Sequence, residues 1–286
     1  MDSSTTLWPS GEPTVSMSAG GLKVTVNPLR GAKIVSLIDS RGVEWIAQPD
    51  NPVSAPPRDG AAFLDAEMAA WDECAPTIVA CEVDGIALGD HGNLWTKEFA
   101  VSRNTVSVVD EAFGYTFSRT MRAGDDELFL DYEVEAGHRD IPFMWAAHPQ
   151  FRAPEGSRVM LPSSVTSVVD VMDPALPTLD WAAELGAINT IAPGGYRKFY
   201  VHPDQVARSA ALVHPDGATL RLSWTAECPY FGVWFDRFDF RAEPIVALEP
   251  ATAYFDMLTT SIELDRVMMI PAKSRVCWTL GISVLF

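Results

Sequence analysis

Residues 115–135 read YTFSRTMRAGDDELFLDYEVE, and the spacing of their apolar side chains sets the fold class. In an extended chain Tyr115, Phe117 and Met121 fall on one side, with Thr116, Ser118, Thr120 and Arg122 on the other. A period of two is what a strand with one face in a core produces. After the turn AGDDE, Leu128, Leu130, Tyr132 and Val134 repeat the pattern, so the two runs read as a hairpin. The same design recurs where residues 210–213 lead through HPDG (214–217) into TLRLSW (219–224), with Asp216 and Gly217 suited to the left-handed geometry of a tight turn.

Helical periodicity is scarce, and short helices are expected only at 179–187 and around 255–261. The 21 prolines and 19 glycines are spread along the chain, with no linker or composition step to mark a boundary. The expected architecture is therefore all-β, one large antiparallel sandwich spanning residues 1–286, with residues 1–20 a loosely ordered polar leader. The stretch 46–70, which includes QPDNPVSAPPRDG, reads as a long loop over one face, and loops of that length are usually functional or mobile.

Composition narrows the partners. A net charge of -17 with no basic block argues against nucleic acid and anionic membranes, which need clustered Lys and Arg, and favours a neutral or locally neutralised small molecule. The first twenty residues lack a basic start and an apolar core, and no run approaches the roughly 18 apolar residues that span a bilayer, so a cytoplasmic protein is expected. Cys74, Cys81, Cys228 and Cys277 form no CxxC pair and lie at no zinc-finger spacing, which leaves them as structural thiols.

Four segments combine polar groups with stiff backbone. In WAAHPQFRA (145–153), Pro149 pushes His148 toward extended geometry and removes a backbone donor, suggesting a strand end or rim. VALEPATA (246–253) repeats the setting, with Glu249 before Pro250. GDHGNLW (89–95) places His91 between Asp90 and a glycine, and WDECAPT (71–77) carries Asp72 and Glu73. Alone, each residue has a plain structural reading: a satisfied core histidine, a turn cap, or carboxylates at a solvated loop or strand end. A histidine and a glutamate, each after an apolar strand and each followed by proline, also suit a general acid and a general base on one sheet face. His138, His202 and His214 lack that setting and read as structural.

In order and spacing these motifs resemble those of the aldose 1-epimerase, or galactose mutarotase-like, family. VNPLRGAKIVSLIDSRGVEWI (26–46) is similar to that family's opening strands, GDHGNLW and AAHPQF to its two histidine motifs, and VALEPATA to its glutamate motif. The resemblance implies a β-supersandwich, a shallow hexose cleft, no cofactor, and sugar ring opening with Glu249 as base, His148 as acid and His91 near the ring oxygen. Asp72 is a further candidate sugar contact, and Trp234, just ahead of the glutamate motif, a candidate stacking ring. The chain departs from the family where WDECAPT replaces a segment carrying a sugar-contacting arginine, and where GGYRKFY (194–200) replaces one carrying an aspartate. Lys198 is expected to face the cleft with Tyr196 and Tyr200, which would suit a substrate bearing a carboxylate or phosphate. Burial among apolar strands is expected to raise the Glu249 pKa. A carbohydrate-binding protein without turnover is the alternative; a glycoside hydrolase pairing Glu249 with Asp72 or Glu73 leaves the histidines without a task.

Overall fold

The computed structural model describes residue 8, residues 11–51, residue 53 and residues 55–286. Two large antiparallel sheets face one another. The ten-stranded sheet runs, in spatial order, Val15–Ala19, Leu22–Asn27, Lys33–Ile38, Trp71–Cys74, Ala146–Arg152, Ile245–Ala251, Tyr230–Arg237, Gly195–Val201, Ser167–Asp170 and Thr178–Asp180. The eight-stranded sheet runs Arg158–Met160, Ser209–Val213, Thr219–Trp224, Arg275–Leu285, Leu128–Ala136, Tyr115–Ala123, Thr105–Asp110 and Ala100–Ser102. Both hairpins read from the sequence are present, with Leu130 opposite Met121 and Leu212 opposite Leu220. The all-β sandwich expectation holds.

One continuous apolar core lies between the sheets, and Tyr132, Trp145 and Trp278 sit at its centre, the Tyr132 and Trp278 rings stacked at 5.4 Å. Arg119 follows the inward phase of its strand and is fully buried there. It crosses to the other sheet and pairs with Glu73, whose remaining valences take Tyr132 Oη at 3.2 Å and Trp145 Nε1 at 2.8 Å. Both Glu73 oxygens accept hydrogen bonds and Arg119 donates further to the Ala32 carbonyl, which helps a buried ion pair to be tolerated, while the Arg119 Nε keeps no partner among the described residues.

Two expectations are corrected. Residues 15–19, assigned to the leader, are the first strand, because Met17 and its neighbours pair with Leu22–Val26 and pack on the core. Trp8 is also buried and donates to Gln48 Oε1 at 3.0 Å; the rest of the supposed leader before residue 11 lies outside the described residues. The stretch 179–187 is not helical, since Thr178–Asp180 adds to the sheet edge against Ser167–Val169 and the chain then turns, burying Gly186 against the Val159 carbonyl. Tertiary pairing overrides a weak local helical pattern there. The second expected helix exists as Leu258–Glu263. No helix among the described residues is long and apolar enough to cross a membrane.

Candidate functional site

His148 and Glu249 are in the middle of their strands, not at the ends as their prolines suggested. The reason is local. The ladder joining these strands pairs Ala146 with Ala251 and Gln150 with Ala247, so in the same register His148 lies opposite Glu249. On the His148 strand the amides of odd-numbered residues point to the Glu249 strand, as that of Ala153 does; on the Glu249 strand the even-numbered ones point back, as that of Thr252 does. Pro149 and Pro250 therefore remove two donors from the same interface, and the pairing lapses where residues 147–149 face 248–250. The neighbouring strands preserve the sheet, with Asp72 opposite His148 and Gly232 opposite Glu249.

Residues directly opposite in a sheet share a face, so Asp72, His148, Glu249, Gly232 and Tyr200 form one row across five strands. Gly232 leaves the room that its neighbours in the row fill. A Cβ there would stand 3.0 Å from Glu249 Oε2 and 3.3 Å from the Tyr200 ring. The next row on that face carries Gln150, Ala247, Trp234 and Lys198. Glu73, one residue beyond Asp72, points to the opposite face and belongs to the core cluster with Arg119. Neither carboxylate is a solvated loop end: both are at most 1% exposed.

Around His148 and Glu249 the polar groups converge. His148 Nδ1 donates to Glu249 Oε1 at 2.8 Å, and His148 Nε2 is buried with no hydrogen-bond partner among the described residues. Lys198 Nζ lies 2.8 Å from Glu249 Oε2 and donates at 2.8 Å to Asp256 Oδ1, which also accepts from Tyr200 Oη at 2.6 Å. Burial pushes the Glu249 carboxyl up, but the Lys198 ammonium and the His148 hydrogen bond outweigh it and lower its pKa to about 2. That reverses the expectation of a raised pKa. The expectation for Lys198 divides. It does face inward with Tyr200, yet its charge is shared by Glu249 and Asp256, so no free cation is presented to an anionic ligand. Burial opposes its charge, the two carboxylates prevail, and its pKa is raised.

His91 joins the cluster from a loop. Its backbone is left-handed at φ 58°, held by its amide donating to the Ile78 carbonyl at 2.5 Å. The Asp256 carbonyl accepts in turn from the amides of Ile78 and Val79, so one residue braces both Lys198 and the His91 loop. The next residue, Gly92, also has positive φ, and a Cβ there would collide with the Ala75 carbonyl. The His91 ring lies 5.4 Å from that of His148, and its Nδ1 meets Asp90 Oδ1 at 3.1 Å. Burial lowers its pKa, which keeps the ring neutral at pH 7.

Two features were not legible beforehand. The 46–70 loop forms one 3-10 turn, Phe63–Asp65, and its Phe63 ring stacks on His91 at 3.7 Å with its edge toward His148 at 5.9 Å, closing the site from above. Asp72 pairs with Lys33 at 3.2 Å, and Lys33 also pairs with Glu67 of the same loop at 3.3 Å. Glu67 further holds Arg30, which grips Glu12. Burial raises the Asp72 pKa, with Lys33 opposing. Trp234, the expected stacking ring, is 5.8 Å from the His148 ring and 9% exposed. Among the described residues no group of three or more His, Cys, Asp or Glu could hold a metal ion.

No family model matches the sequence, and no curated protein is similar to it at that level. Solved structures match over nearly the whole chain. A protein from Synechocystis sp. PCC 6803 superposes with a TM-score of 0.76 at 12% identity, covering 96% of both chains. A galactose mutarotase-like protein from Clostridium acetobutylicum gives 0.66 at 13% identity and 94% of both chains. A galactose mutarotase related enzyme from Lactobacillus acidophilus gives 0.66 at 13%, covering 96% of this chain and 98% of its own. At such identities the likeness is one of fold: this chain has the galactose mutarotase-like β-sandwich.

Proposed function

We propose that this galactose mutarotase-like sandwich is an aldose 1-epimerase-like isomerase, interconverting the α and β anomers of a free sugar by acid–base ring opening. The observation that carries the reading is the His148–Glu249 pair at 2.8 Å, with Nε2 of the histidine buried and unpartnered. Mutarotation needs a base for the anomeric hydroxyl and an acid for the ring oxygen, and no redox partner or covalent intermediate. Glu249 takes the hydroxyl proton as His148 delivers one from Nε2 to the ring oxygen; C1 then rotates, and the two protons return as the ring closes on its other face. His91, neutral and 5.4 Å from His148 ring to ring, is available to the ring oxygen or a neighbouring hydroxyl.

A carboxylate held at about 2 is reliably ionised but a weak proton acceptor. Sugar binding supplies the correction: a hydroxyl that takes the place of His148 on Glu249 Oε1 removes one of the two groups that depress its pKa. The same saturation of Glu249 favours a second reading, a saccharide-binding protein without turnover. Proton NMR exchange spectroscopy on a panel of hexoses decides between them. Exchange faster than buffer supports the isomerase, and binding with the buffer rate leaves the second reading.

A further inference from the structure

Beside the acid–base pair, on the same sheet face, is a cavity of about 460 Å3 between the 46–70 loop and the turn carrying Phe240 and Arg241. Its size is inside the roughly 300–1,000 Å3 range of small-ligand pockets. It neither includes nor touches His148 or Glu249, yet two chains of contacts connect it to them. The first is aromatic: the His148 and Trp234 rings are 5.8 Å apart, Trp234 and Phe240 5.8 Å, and Phe240 and the exposed Tyr196 5.2 Å. The second is ionic: Glu67, in the cavity wall, pairs with Lys33, which pairs with Asp72 in the row beside His148.

The wall is mixed. Met68, Leu64 and Phe240 give apolar surface, and Asp50, Asp65 and Glu67 give acceptors. Arg241 is 4% exposed; its terminal nitrogens are taken by the Glu67 and Gln48 carbonyls and by Asp50 at 3.2 Å, while its Nε is buried with no hydrogen-bond partner. Glu67 is paired with Arg30 and Lys33 and Asp50 with Arg241, so the wall adds the carboxylate of Asp65 and no unpaired cation, which disfavours an anion, while apolar patches beside acceptors match the C–H faces and hydroxyls of an uncharged sugar.

We infer that this cavity is a second sugar subsite, so that the substrate is the reducing end of a neutral oligosaccharide, its terminal unit at His148 and Glu249 and the next unit past Trp234 against Phe240. This rests on the proposed acid–base function for the identity of the first subsite, but not for the existence of the second.

The test is calorimetric binding of glucose, and of reducing di- and trisaccharides of glucose in several linkages, alongside anomer exchange for each. The best-fitting disaccharide should bind about tenfold more tightly than glucose, a gain of the size one well-placed ring contact contributes. Phe240→Ala should erase that gain and leave glucose binding unchanged. Because Phe240 is half-buried, Asn51→Ala and Asp65→Asn, both exposed cavity-wall positions, serve as variants that cannot unfold the sheet; they should lower disaccharide affinity alone. Equal affinity for glucose and every oligosaccharide, or equal losses for both in the variants, overturns the inference. Fast exchange of monosaccharides without length dependence sinks this subsite and leaves the isomerase standing, whereas length-dependent binding without exchange does the reverse. Absence of binding to any of these sugars overturns the subsite as well.

Discussion

Glu73 and Glu249 are both buried carboxylates facing a buried cation, and they lie on opposite faces of one sheet. Glu73 lies between the sheets, where Arg119, Tyr132 and Trp145 occupy its oxygens and nothing can approach. Burial lifts its carboxyl above the usual range, with Arg119 opposing. Glu249 lies on the outer face of the same sheet, its hydrogen-bond partner His148 has a free nitrogen, and the balance of forces on its carboxyl runs the other way, to about 2. An ion pair alone does not mark a site. What separates the two is the face of the sheet: Arg119 and His148 each keep a buried nitrogen without a partner among the described residues, but Arg119 lies in the core whereas His148 lies on the opposite face beside Phe63.

Substitutions can break that contrast. The largest effect is expected at Glu249: Glu249→Gln keeps the shape and should lower anomer exchange on the order of 10²–10⁴-fold, with sugar binding retained. A variant exchanging at the wild-type rate would place the base elsewhere. His148→Asn should show a comparable loss. Arg119→Met strands the Glu73 charge in the core and should cost about 3–5 kcal/mol in denaturant unfolding, with per-molecule exchange of the folded fraction unchanged. A selective loss of exchange there would erase the distinction between the two clusters.

The pH dependence sharpens the contrast further. The folded Glu249 pKa, about 2, is below its ordinary value of 4.5, so its contribution to stability is complete above about pH 4.5 and is lost as pH falls toward 2. Acid unfolding of Glu249→Gln should lack that component. Lys198→Met removes the main depressing charge, and the acid limb of the exchange profile should move to higher pH; an unmoved limb would mean that Lys198 does not set the carboxylate.

How much of this could be read from the sequence follows from the range of the forces involved. Period two in YTFSRTMR and LFLDYEVE is a local property of one buried face, and it survived folding unchanged. The same alternation puts Arg119 on the inward side, so one half of the core ion pair is legible in the sequence. The prolines after His148 and Glu249 point to a strand end or rim, yet both strands continue through them, because the bonds are lost only on the side the two strands share and their outer sides stay paired. Asp256 and Phe63 come from segments without periodicity, brought in by long-range hydrogen bonding and ring stacking that no local pattern encodes. The direction of the Glu249 shift also depended on register: burial was foreseen, and the ammonium two strands away that reverses its effect was not.

Smaller effects remain. Gly232→Ala should press on Glu249 Oε2 and lower exchange by up to about 10²-fold, the scale associated with a misplacement of order an ångström, with little change in fold. Phe63→Ala should quicken diethyl pyrocarbonate modification of His91, read by mass spectrometry; unchanged reactivity would show that the ring does not close the site.

The lapse in pairing where Pro149 meets Pro250 also makes the sheet mechanically uneven. On their outer sides the same two strands keep unbroken ladders, residues 146–149 against 71–74 and residues 245–251 against 230–236. Across the gap two of the bonds between the His148 strand and the Glu249 strand are missing, so separating their side chains there strains fewer backbone bonds than at either end, where the ladder is intact. His148 and Glu249 occupy the most weakly bound stretch of the interface between their two strands.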